Sequence, residues 1–438
     1  MKRYRCSGAP RVLLVVVAVL CWSMPATSVA ADSPISVVEQ STENHFPDEL
    51  LWHITVRSEA SQITRIKLVF GTRGNRSPTS VPLSFEPATE VSVQHRWYTK
   101  YRDVPPGAPI LFHWVIGDAA GNELVSEEQI VYYDDIRFSW QQLANEQVAL
   151  FWYEGDQAFG QELFGLANEA IERLATEIGA RPAFQVRIVI YPSEETFFSA
   201  FPRMQEWVGG RAFSEMGLTV QIISPETSMG WSETSRGWPE TSRGWSETSP
   251  WPRQVIPHEI AHLLFYQATY HPLSDPPAWL NEGLAQHCEL VSHAHQEKLV
   301  RDAARHDSLL PLPYLTGSFG SDPEQVSLAY AQSLSMVEYA LRRFGPEGMA
   351  ALMAAYREGQ PTRQAMPAAW GVSQEAFYEQ WKAATLTAEE AMPLDTVSPA
   401  AVLQRALLVF GLTICCCSTS LLTVAVVVGV LLFKPREM

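Results

Sequence analysis

His258-Glu259-Ile260-Ala261-His262 sets two imidazoles four residues apart, with a carboxylate directly after the first. On a helix, residues four apart share a face with Cβ atoms about 5–6 Å apart. Both rings can then reach one cation at the roughly 2.0–2.1 Å of a zinc–nitrogen bond. Glu259 points about 100° away from its neighbours. It stands beside the ion rather than on it, where a base for an activated water belongs. Leu263-Leu264-Phe265 continues the apolar run, and Pro257 reads as a residue of the helix's first turn, where a missing N–H costs little. The chemistry this set supports is metal-assisted hydrolysis.

Two histidines need a third protein ligand and an open fourth position. Asp275-Pro276-Pro277 reads as a cap followed by proline, opening a second helix through Ala278-Trp279-Leu280-Asn281-Glu282-Gly283-Leu284-Ala285. Glu282 stands one turn in, and Gly283 and Ala285 are small enough to let helices pack closely there. His287 and Glu289 on the same helix are rival ligands, although Glu289 lies two turns on and needs a different helix crossing. His293, His295 and His306 read as residues of solvated helix faces.

The pairing of His258-Glu259-x-x-His262 with Trp279-Leu280-Asn281-Glu282-Gly283-Leu284-Ala285 resembles the gluzincin metallopeptidases. Among them it is most similar to the peptidase MA-like family, related to the aminopeptidase N branch. The resemblance implies a thermolysin-like zincin domain over residues 139–384, a small sheet with a helical remainder. It also implies one Zn2+ per chain held by His258, His262 and Glu282, with Glu259 as general base. A tyrosine that steadies the transition state is implied one helix downstream. Tyr330 takes that place in Ala329-Tyr330-Ala331-Gln332-Ser333, which opens a helix through Leu334, Val337, Leu341 and Phe344 to Gly345. The Gly-x-Met-Glu-Asn strand with which that branch grips a free amino terminus is absent. The strand expected near Met216 to Ile223 has only Glu215 beside it.

The elements that must position these residues can be read from periodicity. From 33 to 135 the pattern alternates with period two, as in Ile66, Leu68 and Phe70 against Arg65 and Lys67. Val91, Val93, His95 and Trp97 repeat it, as do Phe112, Trp114 and Ile116, and Asp118 to Asn122 marks a turn before a run ending at Tyr133. An Ig/fibronectin-like β-sandwich follows from short strands with turns at these intervals. It would serve as a binding module or as a spacer.

After Asp135 strands and helices alternate. Strands are expected over 148–153, 186–191 and 218–223, with a long amphipathic helix capped by Asp156 and running through Phe164, Ala167, Ile171 and Leu174. A short helix carries Phe197, Phe198 and Phe201. Residues 225–252 hold a seven-residue repeat, Ser232-Glu-Thr-Ser-Arg-Gly-Trp238 then Pro239-Glu-Thr-Ser-Arg-Gly-Trp245. Its Gly, Ser, Thr and Pro content reads as an inserted loop or as a Trp-bearing flap.

The 438 residues allow two folded domains plus appendages. A hydrophobic content of 46% excludes a mostly disordered chain, and a net charge of −16 argues against a nucleic-acid partner. Lys2, Arg3, Arg5 and Arg11 precede an apolar run and Ser28-Val29-Ala30, the form of a signal peptide over 1–30, read as cleaved or as an uncleaved anchor. Residues 406–433 carry no charge and are long enough for one transmembrane helix, with Lys434 and Arg436 in a cytoplasmic tail of 434–438 and a stalk over 385–405. Of six cysteines only Cys288 falls in the exported body, so no intrachain disulfide is available there.

The sequence as a whole reads as an α+β protein of the cell membrane, single-pass, with its catalytic domain extracytoplasmic. It would hydrolyse a peptide or protein substrate through a zinc-activated water. The alternatives are a catalytically silent, zinc-containing surface binding or adhesion protein, and a membrane-anchored structural protein without metal.

Overall fold

The computed structural model describes residues 33–100, 102, 104–201, 210–225 and 250–390. The expected signal peptide and transmembrane helix, and most of the heptad insert and stalk, lie outside the described residues. Among the described residues no helix is long and apolar enough to cross a membrane. The chain divides into two compact units, residues 105–107 and those from Arg137 onward forming the second.

The first unit is all β. Strands β1 (Ile35–His45), β2 (Glu49–Ser58) and β5 (Glu90–Tyr98) form one antiparallel sheet in the order β1-β2-β5. The second sheet runs β4 (Thr79–Pro82), β3 (Ile63–Thr72), β6 (Ala108–Asp118), with β7 (Glu123–Val125) and β8 (Gln129–Tyr133) pairing successive stretches of β6. The period-two pattern decides which residues turn inward. Leu50, Trp52, Ile54 and Val56 are buried from β2, and Ile110, Phe112, Trp114 and Ile116 from β6. Trp52 meets Phe70 at 4.9 Å and Phe112 at 6.0 Å between ring centroids, joining the two sheets. The Asp118 carboxylate closes the following turn by accepting from the backbone N–H of Ala120 and Asn122.

The second unit opens with a five-stranded sheet. Its strands are β9 (Gln141–Ala144), β10 (Val148–Trp152), β11 (Val186–Tyr191), β12 (Gly210–Phe213) and β13 (Leu218–Ile222), in the order β12-β13-β11-β10-β9. β10, β11 and β13 are parallel, and β9 and β12 run antiparallel on the flanks. The crossover from β10 to β11 is α1 (Gln157–Glu177), capped as its sequence suggests by Asp156, which accepts from Phe159 N. The short helix α2 (Glu194–Ala200) follows β11.

Helices make up the remainder: α3 (Pro250–Thr269), α4 (Ala278–Cys288), α5 (Ala294–Arg305), α6 (Leu312–Thr316), α7 (Pro323–Arg357), α8 (Thr362–Trp370) and α9 (Gln374–Glu390). α3 is apolar nearly all round, burying Val255, Ile256, Ile260, Ala261, Leu263 and Leu264, as a helix at the centre of a domain must. Trp279 of α4 stacks on Phe377 of α9 at 5.3 Å.

Three sequence expectations are corrected. α3 begins at Pro250, so Pro257 lies inside the helix rather than in its first turn. The carbonyl it leaves unpaired within the helix, that of Arg253, accepts from Leu290 N at 2.8 Å. Asp275 does not cap α4, whose N-cap is Pro277. Its carboxylate instead accepts from Thr362 N at the first residue of α8. The helix carrying Tyr330 opens earlier than expected, at Pro323 behind an Asp322 cap, because Asp322-Pro323 supplies the cap and first turn. It does break at Gly345, where φ is 65° and Pro346 follows.

Candidate metal centre

α3 and α4 bring the expected residues together. Nε2 of His258 and Nε2 of His262 are 3.2 Å apart, and both face Oε2 of Glu282, at 3.9 and 3.6 Å. Helical spacing explains the first pair, and close packing of α4 on α3 brings the third. Among the described residues this is the group of His, Cys, Asp and Glu side chains able to hold a metal ion.

Each imidazole is oriented from behind. Nδ1 of His258 lies 2.9 Å from Oε1 of Glu289, and Nδ1 of His262 lies 3.0 Å from Oδ1 of Asn281. An oxygen acceptor at Nδ1 keeps the proton on that nitrogen and turns the lone pair of Nε2 toward the shared point. Glu289 is thereby not a third ligand, and its side chain is 2% exposed. His287, the other rival, bonds Oε2 of Glu177 on α1 at 2.9 Å and is also occupied elsewhere. The role of Asn281 has a sequence signal. A residue next to a ligand on a helix cannot share its face but can reach the neighbouring ring. Glu289 gives a fainter one, a carboxylate seven residues after Glu282 near the same helix face.

The donor set fits a cation on its own evidence. Oε2 of Glu282 is buried without a hydrogen-bond partner while facing two imidazole nitrogens. A carboxylate oxygen out of water needs a compensating charge or donor. Burial alone would lower the pKa of His258, but the hydrogen bond and charge of Glu289, with Glu259 and Glu282 behind it, raise it to about 9. Three carboxylates around one imidazole thus draw positive charge to this spot, a proton if nothing else.

Tyr330 approaches from α7. Burial first, and then the charges of Glu282, Glu259 and Glu289, push its ionisation well above the ordinary tyrosine value, so the hydroxyl stays protonated. The ring of Phe319 packs edge-on against it at 5.2 Å. α7 comes this close because Gly283 has no side chain. On the sheet side, β12 lies against α3, and Ser214 Oγ in the turn Ser214–Met216 donates to the His262 carbonyl at 3.4 Å. Glu215 is in that same turn.

Of the histidines read as solvated, His295 and His306 are exposed, whereas both ring nitrogens of His293 are buried. Cys288 is buried beside Glu289, and burial pushes its thiol up to about 12, the behaviour of a small core residue rather than a nucleophile.

Residues 246–387 match the family model of the Peptidase MA superfamily. The matched stretch carries all five residues singled out above: His258, Glu259, His262, Glu282 and Tyr330. No curated protein matches the chain. Among solved structures, catalytically inactive OgpA from Akkermansia muciniphila, in complex with an O-glycopeptide (glycodrosocin) substrate, is similar at 7% identity over 23% of this chain and 29% of that one, with a TM-score of 0.20. Wild-type OgpA is similar at 9% identity over 30% and 33%, also with a TM-score of 0.20. A polysaccharide deacetylase from Bacillus cereus is similar at 10% identity over 40% and 56%, with a TM-score of 0.18. The chain spans a third or less of the length of the OgpA chains, and likenesses this loose carry no argument about it.

Proposed function

We propose that this chain is a zinc-dependent peptidase of the gluzincin kind, related to the aminopeptidase N branch, that hydrolyses peptide bonds in a peptide or protein substrate. The observation that carries the reading is the convergence of two imidazole Nε2 atoms on the unpartnered Oε2 of Glu282, with Glu259 one residue from the first ring. The match of residues 246–387 to the Peptidase MA superfamily supports peptide hydrolysis over other metal-assisted reactions.

When bound, zinc supplies a Lewis acid that acidifies water and polarises a carbonyl. His258, His262 and Glu282 hold it, and Glu289 and Asn281 fix the two rings. Glu259 takes a proton from the attacking water and returns it to the leaving amine. The Tyr330 hydroxyl, held protonated by burial and nearby carboxylates, donates to the oxygen of the scissile carbonyl as charge develops there. Strand β12, at the flank of the sheet beside α3, suits a substrate backbone laid alongside it.

The all-β first unit serves in this reading as an Ig/fibronectin-like sandwich. The uncharged stretch 406–433 serves as a single membrane anchor that displays the catalytic domain outside the cytoplasm. Glu259→Gln tests the mechanism. The variant should keep zinc and lose about 10²–10⁴-fold in turnover of a quenched fluorescent peptide library. Cleavage at the parent rate would rule out Glu259 as the base.

A further inference from the structure

Pro257 occupies the interior of α3 directly before His258. Proline is unfavourable there because it withholds an N–H and crowds the carbonyl four residues earlier. That carbonyl belongs to Arg253, and it accepts from Leu290 N at 2.8 Å. Leu290 directly follows Glu289, whose Oε1 lies 2.9 Å from Nδ1 of His258.

Glu289 stands just past the last residue of α4, in extended backbone at φ −58° and ψ 139°. Helix α4 therefore does not dictate where its side chain points, and another constraint must. The bond from the next residue's N–H to α3 supplies it, on the same helix as the ring that Glu289 contacts. An alanine at 257 would bring an N–H that competes for the Arg253 carbonyl and so weakens the bond from Leu290.

We propose that Pro257 is a positioning residue of the metal centre. It frees the Arg253 carbonyl for Leu290, which delivers the Glu289 carboxylate to His258 and so aims the ring's Nε2 at the ion. This role rests on the zinc reading proposed above. A proline that only kinked the helix would act differently: its replacement by alanine would raise stability and leave metal affinity unchanged. With the clip, affinity falls even as the helix itself improves.

The experiment measures zinc affinity by chelator competition on the full chain for the parent, Pro257→Ala, Glu289→Gln and the double variant. The thermal midpoint of each metal-free form is recorded beside it. Pro257→Ala is expected to keep or raise the midpoint and to bind zinc about tenfold more weakly, within the range seen when partners behind a ligand are lost. In the Glu289→Gln background it should cost little more. Equal affinity in the parent and Pro257→Ala, or a full additive loss in the double variant, overturns this role and leaves the zinc reading standing. A parent chain that takes up no zinc overturns both. Should Pro257→Ala fail to fold, amide exchange at Leu290 of the parent decides. Strong protection is expected, and exchange as fast as in an exposed loop overturns the clip.

Discussion

Gly283 of α4 and Ser333 of α7 meet backbone to backbone, so that a Cβ at 283 would stand 2.3 Å from the Ser333 carbonyl oxygen. Gly283 follows Glu282, the proposed third ligand, and Ser333 lies one turn beyond Tyr330. The absence of one side chain thus sets how closely the helix of Tyr330 approaches the helix of Glu282.

Gly283→Ala should therefore harm the protein, although alanine is the better helix former. The added methyl meets backbone and Val337, neither of which can swing aside. Overpacking of this kind costs about 1–3 kcal/mol. Thermal denaturation should show that loss, and turnover should fall further than stability accounts for as Tyr330 is pushed off its place. A variant as stable and as active as the parent would show that α7 tolerates retreat.

Zinc affinity should depend on pH through His258. Its pKa in the metal-free fold is about 9, raised above the ordinary 6.5. Below about 9 the ring carries a proton that a metal must displace, so apparent affinity should fall by about tenfold for each unit of acidification. The metal-free protein should show the converse. The charged ring's contribution to stability is fully present below pH 6.5 and is lost as pH rises through about 9. Chelator competition from pH 6 to 10 measures the first effect and melting of the metal-free chain the second. A flat affinity profile contradicts the raised pKa.

Asp275 should matter for stability and not for metal. Its carboxylate bonds Thr362 N and its carbonyl accepts from Thr362 Oγ1, tying the segment before α4 to the start of α8. Asp275→Ala should cost about 0.5–2 kcal/mol, the usual loss of a helix cap. Zinc affinity should stay at the parent value, and a large drop would show that the α3–α4 connection positions Glu282.

What the sequence disclosed follows from how local each feature is. His258, Glu259 and His262 are placed by one helical turn, and Ile66, Leu68 and Phe70 by the pleat of one strand, so both could be read without a structure. The capping of α8 by Asp275 spans 87 residues and carries no local sign. A residue followed by two prolines looked like a cap for the helix it precedes, and the tertiary contact decided otherwise. Pro257 misled for a related reason. Proline normally marks a helix start, and only the bond that Leu290 N donates to the Arg253 carbonyl explains its place inside one. Glu289 was visible as a carboxylate near the site, but the extended backbone after α4 makes it a support for His258 instead of a ligand.

Metal content is the direct test of a zinc site built from His258, His262 and Glu282. The full chain, purified without added chelator, should carry about one zinc per molecule, the complement of a three-ligand site. His262→Ala and Glu282→Ala should each lose it while keeping the fold. A folded parent chain with no zinc, or variants that retain it in full, would contradict a zinc site at these residues.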